Sequence, residues 1–180
     1  MKYLKLLIIL FVCSSEIYSQ NLVPNYSFED TVDVKTTPLY APKHWIAATN
    51  EGWNYLTPHN NLSQQHLLQS VPNNFMGYQQ ARTGNAYAGI RIDDYYSQPR
   101  RLRREYMQVK LNRKLIFDST YCLQLFISLA DSSHFASRGQ LGFYFSANAV
   151  GANNTINLPY TPQVIVSPNN YINDKVNWVE

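Results

Sequence analysis

Tyr121-Cys122-Leu123-Gln124-Leu125-Phe126-Ile127-Ser128-Leu129-Ala130 sets Tyr121, Leu123, Leu125, Ile127 and Leu129 two residues apart. That is the period at which side chains of an extended chain share one face. The opposite face, with Gln124, Ser128 and Phe126, is mixed. The spacing predicts a strand over residues 121–130 with its apolar face turned inward, and Cys122 as a buried, inert thiol.

Outward from this stretch the pattern recurs. In residues 104–111, Met107, Val109 and Leu111 oppose Tyr106, Gln108 and Lys110. Residues 86–92 and 141–146 are rich in aromatic or branched side chains, and shorter runs of the same kind lie at 44–47, 52–56 and 163–166. A sheet with one apolar face needs a second layer to cover it, so the expected fold is an all-β, two-layer antiparallel β-sandwich. The gaps at 57–85, 93–103 and 146–162 are long and polar. Within the first, residues 61–69 read as one or two helical turns capped by Asn61 and stopped before Pro72. No internal repeat or low-complexity linker divides the chain. The sequence stops inside a strand-like stretch, Val176-Asn177-Trp178-Val179-Glu180, so the sandwich over 20–180 is expected to lack its C-terminal strands.

A length of 180 residues corresponds to one domain with a sizeable core. Charged residues make up only 15% against 45% hydrophobic, which excludes a disordered chain. Residues 2–5 carry Lys2 and Lys5 at the head of an almost wholly apolar run over residues 4–12, followed by Ser14, Ser15 and Ser19, the layout of a secretory signal peptide over 1–19. The run is shorter than the ~20 residues a membrane-spanning helix needs, and no later stretch approaches that length. Lipidation at Cys13 is the alternative processing, against which Val12 counts as too large. Beyond residue 19 there remain 13 basic and 11 acidic groups, a net of +2, too little for a protein that binds bulk nucleic acid. Cys122 is then the sole cysteine, and no intrachain disulfide forms. An exported protein, periplasmic, outer-membrane-associated or extracellular, is expected.

Residues 21–30, Asn21-Leu22-Val23-Pro24-Asn25-Tyr26-Ser27-Phe28-Glu29-Asp30, resemble the opening of carbohydrate-binding-module-like, galactose-binding-like jelly rolls found in secreted and envelope proteins of Bacteroidota. The likeness continues through residues 71–79, 81–90, 104–109 and 128–133, and Trp178 resembles the residue that begins that family's next strand. It implies a jelly roll at the N-terminus of a longer envelope protein, with an OmpA-like, sorting or gliding-associated partner domain downstream of residue 180. It also implies a structural calcium held by the Glu29 side chain with carbonyl oxygens of Thr83 or Asn85. The family's acid in the last strand is missing, and calcium takes about six to eight oxygens. The other reading of Glu29 is a carboxylate that accepts backbone hydrogen bonds at a strand end.

A sugar ring presents C–H groups to an aromatic face and hydroxyls to amides or carboxylates. Trp53, Asn54, Tyr95 and Tyr96 are the resulting ligand candidates; the last two sit in a polar segment where adjacent side chains point oppositely. For any single aromatic, a place in the core is the competing reading. Arg101 and Arg103, within Arg100-Arg101-Leu102-Arg103-Arg104, add a site for an anionic group, beside the reading of a solvated run in which Arg104 pairs with Glu105 or Asp94. Asp131-Ser132-Ser133-His134 holds the letters of a hydrolase triad, but four successive residues do not converge in triad geometry and read as a strand-end turn. The expectation is a non-catalytic binding module for a glycan or envelope polymer. A structural or adhesion spacer that binds no small ligand is the alternative, and an esterase or glycosidase the remote one.

Overall fold

The computed structural model describes residues 20–34, 39–50, 52–60, 69–92, 104–134, 136–138, 141–153, 157–167 and 169–180. These form an all-β chain. The strands are β1 (Thr31–Val34), β2 (Leu39–Pro42), β3 (Trp45–Ala47), β4 (Asn54–Leu56), β5 (Asn73–Asn74), β6 (Gly77–Tyr78), β7 (Tyr87–Gly89), β8 (Met107–Val109), β9 (Ser137–Arg138), β10 (Gly142–Phe143), β11 (Val164–Ile165) and β12 (Tyr171–Ile172), with one 3-10 turn at Pro58–Asn60. They join in antiparallel pairs, β1 with β2, β3 with β8, β4 with β7, β5 with β6, β9 with β12 and β10 with β11, an arrangement consistent with a sandwich.

The core gathers around β4 and β7. Their register sets Tyr55 opposite Ala88 and Leu56 opposite Tyr87, and Leu56 is fully buried. Among the described residues, Pro42, Ala48, Tyr55, Ala86, Tyr87 and Ile172 are also buried. Asn60 is buried among them at no energetic loss, because its amide accepts from the Tyr40 N–H at 2.9 Å and donates to the Tyr55 carbonyl at 3.3 Å. Tyr55 donates its hydroxyl to the Phe28 carbonyl at 2.7 Å, and burial pushes its pKa up to about 12. Burial likewise raises that of Tyr87, whose hydroxyl accepts from Asn74.

The spacing expectations for 44–47, 52–56, 86–92, 104–111, 141–146 and 163–166 each contain an observed strand. The stretch 121–130 is the correction. Among the described residues its pairing is confined to the antiparallel bridge between Ile127 and Val179 and to the Leu129 N–H bonded to the Asp174 carbonyl. Residues 121–125 carry no neighbour strand, so Tyr121, Leu123 and Leu125 stand 39, 41 and 41% exposed. For the same reason Cys122 is exposed rather than buried. Period two fixes which side chains share a face; whether that face is covered depends on a partner elsewhere in the chain. The helical turns expected over 61–69 fall almost wholly on residues 61–68, outside the described residues.

Candidate functional site

A cleft of about 480 Å³ opens where the chain leaves β3. One side is Ile46, Thr49 and Asn50; the other is the segment 149–153, with Gln108 of β8 between them. The segment is fastened as if it were a strand. The Ala152 N–H bonds the Ala48 carbonyl at 3.0 Å, and Thr49 pairs with Ala152 in a parallel bridge. The Gln108 side chain donates to the Val150 carbonyl at 2.7 Å and accepts from the Val150 N–H at 3.1 Å. One amide thus supplies both bonds a neighbouring strand residue would make. Gly151 admits this close approach, since a Cβ there would lie 3.3 Å from the Ala48 carbonyl.

None of the described side chains lining the cleft is ionisable. It offers the amides of Asn50, Gln108 and Asn153, backbone groups, and the apolar surface of Ile46 and of small residues. It suits a neutral solute with many hydroxyls, which amides bond as both donor and acceptor.

Four acids of the described chain, Glu29, Glu105, Asp131 and Asp174, are engaged elsewhere, with backbone. Glu29 Oε1 accepts from the Asn85 N–H at 2.8 Å and the Ala86 N–H at 2.9 Å. Gly84, at φ +64°, makes the turn beneath the carboxylate; a Cβ would fall 2.4 Å from Oε1. Asp131 Oδ2 accepts from the Tyr78 N–H, and Glu105 Oε2 from the Arg91 N–H. Asp174 accepts from the N–H groups of Asn177 and Val176, which hold its pKa below the usual carboxylate value. Residues 131–132 lie in a turn closed by the Ser133 N–H to the Ala130 carbonyl, as the sequence suggests for the Asp-Ser-Ser-His stretch.

The opening motif is a structural knot. Asn25, at φ +47°, donates to the carbonyls of Asp30 and Lys43 and accepts from the Asp30 N–H. Trp45 donates its indole N–H to the Asn25 carbonyl at 3.0 Å and packs on Phe28, which in turn meets Trp53 at 6.4 Å between ring centroids. Trp53 is therefore half-buried packing, and Asn54 lies in β4 opposite Gly89; neither lines the cleft. Tyr95, Tyr96, Arg101 and Arg103 lie outside the described residues. The Arg104 Nε is buried with no hydrogen-bond partner among the described residues.

Glu29 and Asn85 do come together, but through N–H donors, whereas calcium asks for oxygens. Both bonds fall on Oε1, and Oε2 has only a 3.5 Å contact from the Asn85 amide nitrogen. Thr83 is exposed beside this turn. No group of three or more His, Cys, Asp or Glu gathers in metal-binding array among the described residues. Through Oε1, Glu29 clamps the turn at residues 84–86.

Sequence reasoning passed over Asn50, Gln108 and Asn153. The signal that marks them is the run of small residues Ala149, Gly151 and Ala152 facing a strand, which permits backbones to approach closely. It also passed over Tyr144 and Tyr160, which stack at 4.9 Å with both rings about 40% exposed. Among the described residues no helix is long and apolar enough to cross a membrane. The chain matches no protein-family model, no curated protein and no solved structure.

Proposed function

We propose that this chain is an exported, non-catalytic binding module of jelly-roll type that recognises a neutral glycan or other hydroxyl-rich envelope component. The observation that carries this reading is the cleft beside β3, lined by amides and small apolar groups without an ionisable side chain. The occupation of Glu29, Asp131 and Asp174 as acceptors for backbone N–H groups supports a role without acid–base chemistry. Tyr95, Tyr96, Arg101 and Arg103 remain candidates for contacts beyond the cleft.

Calorimetric titration of the intact chain against neutral oligosaccharides, chosen from a glycan array, tests the reading. Asn50→Ala and Asn153→Ala each remove about one ligand hydrogen bond, about 1 kcal/mol, and weaken binding by roughly fivefold. No binding of any neutral glycan by the intact chain overturns it. The exposed Tyr144–Tyr160 stack favours a second reading, an adhesion or spacer unit that docks protein rather than sugar. That reading predicts silent titrations with every glycan.

A further inference from the structure

The loop that follows β8 carries three consecutive apolar residues into solvent. Leu115 is 40% exposed, Ile116 62% and Phe117 98%. A Phe with nearly all its surface in water contributes nothing to the core, and two apolar neighbours beside it make an apolar prow rather than a scattered exception. The loop is a defined shape. The Ile116 N–H donates to the Tyr121 hydroxyl at 2.7 Å, Asp118 makes the reversal at φ +58°, and the Asn112 N–H ties its base to the Leu22 carbonyl at 2.9 Å.

Its charges are placed behind the tip. Lys110, Arg113 and Lys114 are all exposed on the ascending limb, against a single acid, Asp118, beyond the tip. The net of +2 over residues 110–121 equals that of all residues beyond 19, concentrated next to the apolar tip. An apolar tip backed by cations matches the layering of an anionic bilayer, in which hydrocarbon lies beneath a negatively charged headgroup plane. A protein groove would cover the apolar tip but leaves the three cations unexplained.

We infer that the loop at residues 110–121 is a membrane-docking tip, with Ile116 and Phe117 entering the interface of an anionic lipid surface and Lys110, Arg113 and Lys114 meeting its headgroups. This goes beyond glycan recognition and does not depend on it. It gives the module a fixed orientation at a bilayer.

The test is co-sedimentation of the full chain with vesicles of phosphatidylcholine and phosphatidylglycerol, set against phosphatidylcholine alone. Phe117→Asp and the double change Arg113→Glu with Lys114→Glu are compared with the unaltered chain. Each is expected to lower partitioning to anionic vesicles at least tenfold, and the second to abolish the difference between the two lipids. These side chains are exposed, so circular dichroism should be unchanged. The apolar run in 1–19 is common to all chains, and a direct readout separates it from the tip. Phe117→Trp should gain fluorescence that brominated phosphatidylcholine quenches, beyond any quenching of the three native tryptophans. Equal partitioning of all chains together with no added quenching at position 117 overturns the inference; retained quenching at 117 with loss of partitioning in the variants supports it.

Discussion

β4 and the stretch 121–125 have the same kind of sequence and opposite fates. In β4, Tyr55 and Leu56 are sealed at 6 and 0% exposure because β7 lies alongside, with Ala88 and Tyr87 directly opposite them. In 121–125 the alternating apolar side chains stay about two-fifths exposed, since no described strand pairs with that backbone. Apolar periodicity is a local property, whereas burial is a property of the pair. The energetic weight of a residue therefore follows its neighbour strand rather than its own hydrophobicity.

The largest expected effect compares two leucines directly. Leu56→Ala should destabilise the chain by about 3 kcal/mol or more, while Leu123→Ala should cost under about 1 kcal/mol, read by urea denaturation at constant m-value. Equal losses would break the contrast between the two regions. Next, Glu29→Ala leaves the Asn85 and Ala86 N–H groups without their acceptor, and Ala86 is buried. The expected loss is about 2 kcal/mol, and Gly84→Ala should mimic it by strain and by crowding Glu29.

A third test uses alkaline pH. Tyr55 ionises near 12 in the folded chain and near 10 when unfolded, so the folded state holds its proton more tightly. The stability this confers is complete below pH 10 and lost as pH rises from 10 towards 12. Tyr55→Phe should flatten the Tyr55 part of this decline while also losing the bond to the Phe28 carbonyl. A smaller effect is expected at the cleft, where Gln108→Ala frees segment 149–153 for about 1 kcal/mol of stability and weakens glycan binding by several-fold. The smallest is calcium. With both backbone donors already on Glu29 Oε1, addition of calcium or chelator should leave the melting temperature unchanged, and a clear rise with calcium would restore Glu29 as a ligand.

What could be read in advance divides along the same line. β3, β4, β7 and β8 were legible because their alternating or aromatic runs are paired and partly covered. β1, β2, β5, β6, β9 and β12 were not: in β1 the alternation of Val32 and Val34 with Thr31 and Asp33 spans only four residues, and the two-residue β5, β6, β9 and β12 are too short to show a period. Several are fixed instead by side chains acting on backbone: Asn60 on β2, Asn74 at the turn after β5, Asp131 on β6. An Asn in a polar loop looks the same in sequence whether it is solvated or bonds two strands together. The site was hidden for a related reason. Its amides, Asn50, Gln108 and Asn153, belong to three separate segments that the β3–β8 pairing, the Ala48 to Ala152 bond and the Gln108 grip on Val150 unite. Of the residues singled out for ligands, Trp53 and Asn54 serve β4 and the Phe28 cluster, an outcome that the competing core reading of aromatics anticipates.

The bidentate grip of Gln108 on Val150 has a structural corollary. Because a side chain, beside a single backbone bridge at Ala152, sets where that wall stands, a substitution at 108 can reshape the aperture while β3 and β8 keep their register. The shape of the opening is thereby uncoupled from the strand pairing that folds the chain.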